Sequence, residues 1–406
     1  MIMQTEQEIF ESADERIKNN RMADVTIKVT DPSGNPISNA EVKIQQTKHA
    51  FLFGCNIFQL GQYKDDKMNE TYESEFSALL NYATLPFYWS GFEREKDKPN
   101  YERLDWMARR CQELNITTKG HPLVWHETVP AWAPTDLTVL EDRLSNRVKD
   151  IVKHYAGLVD IWDVINEATV SARFDNPVGR WVKKFGDDVC VGLALDWANS
   201  ANPKATLLVN DFNISPSYEK QLEKLKSANK PFHAIGIQSH MHKGTWTFQR
   251  AWEVCETYKR FGVPLHFTEL TVLSGHLKTD DDWHKYHQDW NSTTEGEKSQ
   301  LEYVEKFYRL LFSHQAVSAI TWWDFMDGGW QGAPAGLVRK DLSPKPIYEK
   351  LMQMIKGEWW TQTTGRTDAN GEFSFCGFLG TYNVIVQDLS KSFTLSKDDN
   401  CWQVKV

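Results

Sequence analysis

Apolar and polar positions along the chain fall into two regimes. From Ala50 to about Met354, short apolar, β-branched runs alternate with longer stretches of helical spacing. The runs are AFLFGCNIF, NYATLPFYW, ITTKGHPLVW, IWDVINE, TLLVNDF, AIGIQSHM, LHFTEL and AITWWDF, eight in all. Between them lie amphipathic segments such as 101–114, where Tyr101, Leu104, Met107, Ala108, Cys111 and Leu114 recur on one helical face. Strand and helix alternating eight times predict a closed parallel (β/α)8 barrel of the α/β class over residues 49–360. An open doubly wound sheet would want a glycine-rich phosphate turn after an early strand, and none is present.

The flanks alternate with period two instead. VTIKVTDPSGNPISNAEVKIQQ holds about two strands around Asp31-Pro32-Ser33-Gly34, and the stretch after Trp360 holds about five more. Two strands alone bury no core. Residues 21–48 with 361–406 are therefore expected to form one discontinuous seven-stranded β sandwich, with residues 1–20 as a separate N-terminal segment.

Composition narrows the partners. The formal net charge is -9, with no runs of Lys or Arg, which argues against nucleic acid or an anionic membrane surface. No apolar stretch is long enough for a membrane span. The opening MIMQTEQEIFESADERIKNN is too polar for a secretory signal, so the protein stays inside the cell or its numbering begins after a removed leader. A monomer is expected. The six cysteines form no CxxC pair, and only Cys376 and Cys401 share a β-rich stretch where a disulfide is conceivable. Aromatic usage is heavy, with 17 Trp, a side chain whose broad apolar face suits a pyranose ring.

In a parallel barrel the chemistry sits where strands end. The third run ends at His121 and continues through Trp125-His126-Glu127; the fourth ends Asn166-Glu167; the fifth ends Asn210-Asp211. The sixth carries Gln238 and His240, the seventh Glu269 and the eighth Trp323. Two carboxylates at one barrel mouth are what glycoside hydrolysis requires, one to protonate the leaving oxygen and one to attack the sugar. The ends of the fourth and seventh strands face each other across a mouth. A carboxylate separation of about 5 to 5.5 Å is feasible there, and that spacing goes with retention of configuration.

The motifs GHPLVWHETVPAW, WDVINEA, LLVNDFN, IGIQSHM, FTEL and WWDFMDGGW, in this order, resemble the signatures of glycoside hydrolase family 10, the endo-β-1,4-xylanases. The resemblance spans roughly Phe51 to Trp360, and the flanking modules resemble those of plant-type members. It implies a retaining hydrolase of β-1,4-xylosidic bonds, with Glu167 as acid/base and Glu269 as nucleophile. It further implies that His121, Trp125 and Asn166 grip the sugar at the cleavage point, and that Gln238 and His240 are the sixth-strand pair, with His240 orienting the nucleophile and helping to set its charge. Trp323 and Trp330 would form an aromatic platform, with Trp89 also at the substrate. The expected partner is xylan or an oligosaccharide, without cofactor or metal; another β-glycoside is the alternative substrate.

Two places depart from the family pattern. Its second strand carries a TPENxxKW-like run whose Glu, Asn and Lys bind xylose on the non-reducing side, whereas this chain reads Thr84-Leu85-Pro86-Phe87-Tyr88-Trp89. Phe87 and Tyr88 either stack on a sugar or plug the barrel. Asp324 follows Trp323 where the family has a small residue, and it and Asp327 are expected to be structural. His240 and His242 form an HxH pair, read here as serving the glutamate site rather than a metal.

Overall fold

In a computed structural model, residues 5–398 and 401–406 are described; residues 1–4 of the N-terminal segment and 399–400 near the last strand lie outside them. The chain divides into two compact units, 53–300 with 316–344, and 1–52 with 301–315 and 345–406.

The first unit holds the barrel. Its strands are Leu52–Asn56, Tyr82–Pro86, Thr117–His121, Ile161–Asn166, Thr206–Asp211, Ala234–Ile237, Leu265–Val272 and Val317–Trp322. Successive strands pair in parallel, and pairing of the eighth with the first closes the ring. These strands read as near-continuous apolar runs because both faces are buried. Phe87 is fully buried and meets Tyr155 and Trp162 edge-on at 5.0 and 4.9 Å. It belongs to this buried aromatic cluster and does not line the cleft, so it neither reads sugar nor fills the barrel mouth. Gly120 is required beside it, since a Cβ there would lie 2.0 Å from the Trp162 ring.

Two irregularities matter for chemistry. The sixth strand stops at Ile237, turns through Ser239 in the left-handed region (φ 60°), and resumes at His240–Met241 to pair with Thr271 and Val272. The register of the seventh and eighth strands shifts between Phe267 and Leu270, around Glu269. Such bulges re-aim side chains, and they are common beside active sites.

Among its described residues the second unit contains seven strands in two sheets. Met22–Thr30 lies between Glu372–Phe378 and Cys401–Lys405; Glu41–His49 lies between Gln362–Arg366 and Gly380–Val386, with Leu389–Leu395 outermost. Val25, Ile27, Val29 and Val404 from one sheet share a core with Val42, Ile44, Tyr382 and Val384 from the other. Cys376 and Cys401 are free thiols on strands that flank Met22–Thr30 from opposite sides. Two strand spacings of about 4.8 Å separate them, more than a disulfide spans.

The N-terminal segment carries helices Glu6–Glu11 and Ala13–Arg21, the first opened by a capping box between Thr5 and Glu8. Arg21 donates to the carbonyls of Phe312 and His314. No helix among the described residues is long and apolar enough to cross a membrane.

Candidate active site

A cavity of about 1230 Å³ opens at the strand ends of the barrel unit. Glu167 and Glu269 both line it, as do His121, Trp125, Asn166, Gln238, His240, Trp323 and Trp330. Trp89 does not. It begins the short helix Trp89–Phe92, which turns its indole away to donate to Glu93 (3.1 Å) and to meet Trp132 edge-on at 5.5 Å.

Glu167 follows the fourth strand in the left-handed backbone region (φ 56°, ψ 40°), a conformation that costs a residue with a Cβ about 1–2 kcal/mol. Its N–H is tied to Asn210 O at 2.9 Å, fixing the turn. One carboxyl oxygen accepts from Gln238 Nε2 (2.9 Å) and Asn166 Nδ2 (3.2 Å), and the other from Trp125 Nε1 (3.0 Å). Glu269 accepts from Asn210 Nδ2 (2.8 Å) and faces His240 Nε2 (3.1 Å). Asn210 also donates to Asn166 Oδ1 (2.8 Å) and accepts from Thr268 (2.6 Å). Side-chain amides thus link the two carboxyls in one network.

The imidazole of His240 is clamped from behind. Thr271 Oγ1, which donates to Trp323 O (2.9 Å), lies 3.0 Å from Nδ1, and this contact aims Nε2 at Glu269. His121 is fixed likewise, its Nδ1 2.7 Å from Asp163 Oδ2, which also takes Lys119 Nζ at 2.5 Å. Lys119 and Asp163 are fully buried.

These surroundings drive the carboxyls apart. Burial pushes Glu167 up to about 8, helped by the charges of Glu269, Asp211 and Glu127 and opposed by the Gln238 hydrogen bond. Burial also pushes on Glu269, but His121, the hydrogen bond and charge of His240, and Lys119 outweigh it and hold Glu269 below its ordinary value. One group keeps its proton at neutral pH and the other does not.

A stability consequence follows for Glu167. Its folded value lies above the ordinary 4.5, so from about pH 4.5 to 8 the folded chain holds a proton that the unfolded chain has lost. Stability therefore falls as pH rises through this window. Glu167→Gln removes that dependence, and relative to wild type it should gain a few kcal/mol between pH 5 and pH 8, since each pKa unit is worth about 1.4 kcal/mol. Denaturant midpoints at the two pH values check this; a gap between the proteins that does not change with pH would contradict it.

Residues outside the sequence-based set complete the cavity. Tyr88 lines it beside His121 and Trp125, with ring centroids at 5.5 and 5.8 Å. Trp330 stacks on Trp283 at 6.0 Å and 22°, each about a third exposed at the rim. His242 is buried among Trp283, Trp290 and Trp330, and burial lowers it to about 3. The two HxH rings lie 5.8 Å apart and share Trp330, but His240 faces Glu269 while His242 packs against Trp283 and Trp290. The group among the described residues whose donor atoms fall within reach of one cation is His126, Glu127 and Glu167.

Barrel and cleft together define a class, the (β/α)8 proteins of glycoside-hydrolase type, with two carboxyls of opposite ionisation in a cleft of amides and aromatic rings. The chain belongs to Glycosyl hydrolase family 10, whose sequence model matches residues 43–354. It is similar to endo-1,4-beta-xylanase 1 of Arabidopsis thaliana, at 27% identity over 95% of this chain and 39% of that protein. It is also similar to the anti-sigma-I factor RsgI6 of Acetivibrio thermocellus, at 26% identity over 93% of this chain and 46% of that protein. The chain thus spans less than half the length of either relative. Among solved structures, xylanase 10B of Thermotoga petrophila in complex with xylobiose superposes with a TM-score of 0.64 at 24% identity, over 76% of this chain and 95% of that one.

Proposed function

We propose that this chain hydrolyses β-1,4-xylosidic bonds in xylan or xylo-oligosaccharides with retention of configuration. Glu167 acts as acid/base and Glu269 as nucleophile. The observation that carries this reading is that both glutamates line one cleft and are joined through Asn166, Asn210 and Gln238, in surroundings that raise one carboxyl's pKa and lower the other's. Protonated Glu167 gives its proton to the leaving oxygen while ionised Glu269 attacks the anomeric carbon. Once Glu269 is esterified its charge is gone, the carboxyl of Glu167 acidifies, and Glu167 then takes a proton from the incoming water.

On this reading His121, Trp125, Asn166 and Gln238 hold the sugar at the cleavage point, His240 positions Glu269, and Trp323 with Trp330 supply the aromatic platform. Residues 21–48 with 361–406 serve as a structural brace for the catalytic domain at 49–360. The chain acts as a monomer, without nucleic acid or membrane partner.

The Lys119–Asp163 pair tunes Glu269 from below. Lys119→Met removes one of the charges that hold Glu269 down. The acid limb of the activity profile should move to higher pH while the alkaline limb stays in place. Breaking a buried pair should also cost about 3–5 kcal/mol of stability. An acid limb at its original pH in the variant would exclude Lys119 from this role.

A second reading keeps the chemistry on another β-glycoside, and the second strand favours it, because Thr84 to Trp89 offers no charged or amide side chain to a sugar. A screen of xylan, xylo-oligosaccharides, mixed-linkage glucan and aryl β-xylosides, with Glu269→Ala as control, separates the two. Turnover of glucan alone removes the xylan reading. Activity that survives in Glu269→Ala removes the mechanism.

A further inference from the structure

The cleft wall built from the first, second, third and eighth strands differs from the amide-rich region around the two glutamates. Phe58 meets Trp323 at 5.3 Å and Tyr88 at 5.9 Å, both edge-on; Tyr88 meets His121 at 5.5 Å, and His121 meets Trp323 at 5.4 Å. All four separations are contact distances for rings, so no pyranose fits between the two members of any of these pairs.

Two polar side chains of the first and eighth strand ends open onto the cavity in this region, Asn56 and Asp324. Asn56 Nδ2 donates to Asp324 Oδ1, and the Trp330 backbone N–H donates to Oδ2. Gly329 makes the second bond possible, since a Cβ there would sit 2.2 Å from Oδ2. Asp327 shows what a purely structural aspartate looks like in the same loop. It is closed off from solvent, with Ser292 and the Gly336 N–H as donors at 2.7 and 2.8 Å. Asp324 instead remains partly exposed, and what it is exposed to is the cleft.

A carboxyl has about four acceptor positions, of which Asn56 and Trp330 take two. Among the described residues no lysine or arginine forms an ion pair with it. His240 and Glu269 act on it electrostatically, and all three side chains line the same cavity. A largely desolvated acceptor with no ion-pair partner among the described residues calls for further hydrogen-bond donors. Adjacent sugar hydroxyls supply two.

We propose that Asp324, positioned by Asn56, accepts hydrogen bonds from the free 3- and 4-hydroxyls of a non-reducing terminal sugar, so that the protein removes single sugars from glycan ends instead of cutting within chains. In a 1,4-linked glycan only the terminal unit has a free 4-hydroxyl, so a carboxylate that reads this hydroxyl selects chain ends. This inference rests on the glycosidase reading above.

The test compares 4-nitrophenyl β-xyloside, its 4-deoxy analogue and 4-nitrophenyl β-xylobioside. Wild type should release nitrophenol from the monoside with at least about 10-fold higher kcat/KM than from the bioside. The 4-deoxy substrate should lose about 10- to 100-fold, the scale of a hydrogen bond to a charged group. Asp324→Asn, which keeps the size of the side chain and an acceptor for Trp330, should lose much of that penalty, with the change appearing in KM on the parent monoside.

Preference of wild type for the bioside would overturn the proposal, as would an equal 4-deoxy penalty in wild type and Asp324→Asn. Both can occur while Glu269→Ala is inactive, which would leave the mechanism standing. If wild type turns over neither aryl glycoside, the xyloside reading falls and this inference falls with it.

Discussion

Replacing Glu269 with alanine is expected to lower kcat on every β-glycoside the protein accepts by on the order of 10^5-fold, the scale found when a covalent nucleophile is removed. The expectation follows from how the side chain is held. Asn210 and His240 fix its two oxygens, and His121, His240 and Lys119 keep it ionised inside a buried site. Among the described residues no other carboxylate of this network is held in this way, so a variant lacking this one has no replacement. Small anions such as azide or formate, admitted to the vacated space, should restore turnover of an activated aryl glycoside and give a product of opposite anomeric configuration. Product anomers read by NMR check this. Restored activity that retains configuration would assign the nucleophile elsewhere.

Glu167→Ala should separate substrates by leaving group. With an unactivated sugar leaving group the loss should be about 10²- to 10⁴-fold, the usual contribution of a general acid. With an acidic phenol the first step needs no proton donor, so glycosyl-enzyme should accumulate and appear as a burst. Wild type should show a bell-shaped profile for kcat/KM. Its alkaline limb lies near pH 8, where free Glu167 loses its proton, and its acid limb lies below the ordinary carboxylate range, where Glu269 gains one. The variant should lose the alkaline limb and keep the acid limb. An alkaline limb that persists in Glu167→Ala would show that another group titrates there.

Much of the barrel was legible because a strand buried on both faces must be apolar throughout and must end in polar residues wherever something is bound. WDVINE and FTEL carry that transition within a few letters, so Glu167 and Glu269 stand out without coordinates. The supporting shell was harder to read. Asn210 was visible as a polar strand end, but its link to both Asn166 and Glu269 depends on the closure of the ring. Lys119 and Asp163 left a signal in two charges inside apolar strands, which burial tolerates only for paired groups.

Trp89 illustrates the reverse difficulty. A tryptophan next to a strand end looks like a sugar platform, yet a single turn of helix sends it to Glu93 instead. Asp324 and Asp327 have the same side chain three positions apart. Only the loop conformation, with Gly329 folded against one of them, distinguishes their surroundings. The helices of the N-terminal segment escaped notice because their exposed faces are polar and only Ile9, Ala13 and Ile17 are buried.

The strands Met22–Thr30 and Cys401–Lys405 run side by side in parallel, with Thr26 opposite Cys401 and Thr30 opposite Lys405. Their hydrogen bonds join positions 375 residues apart, so this pairing forms only after Cys401–Lys405 has left the ribosome. Its loop-closure cost grows only logarithmically, but the partner strand does not exist until synthesis reaches it. The parallel arrangement also sets a mechanical property. A pull on Met22 and Lys405 loads the ladder in shear, all bonds at once, whereas an antiparallel pair pulled at adjacent ends would unzip bond by bond. Single-molecule stretching between these two positions should therefore begin with a high-force rupture.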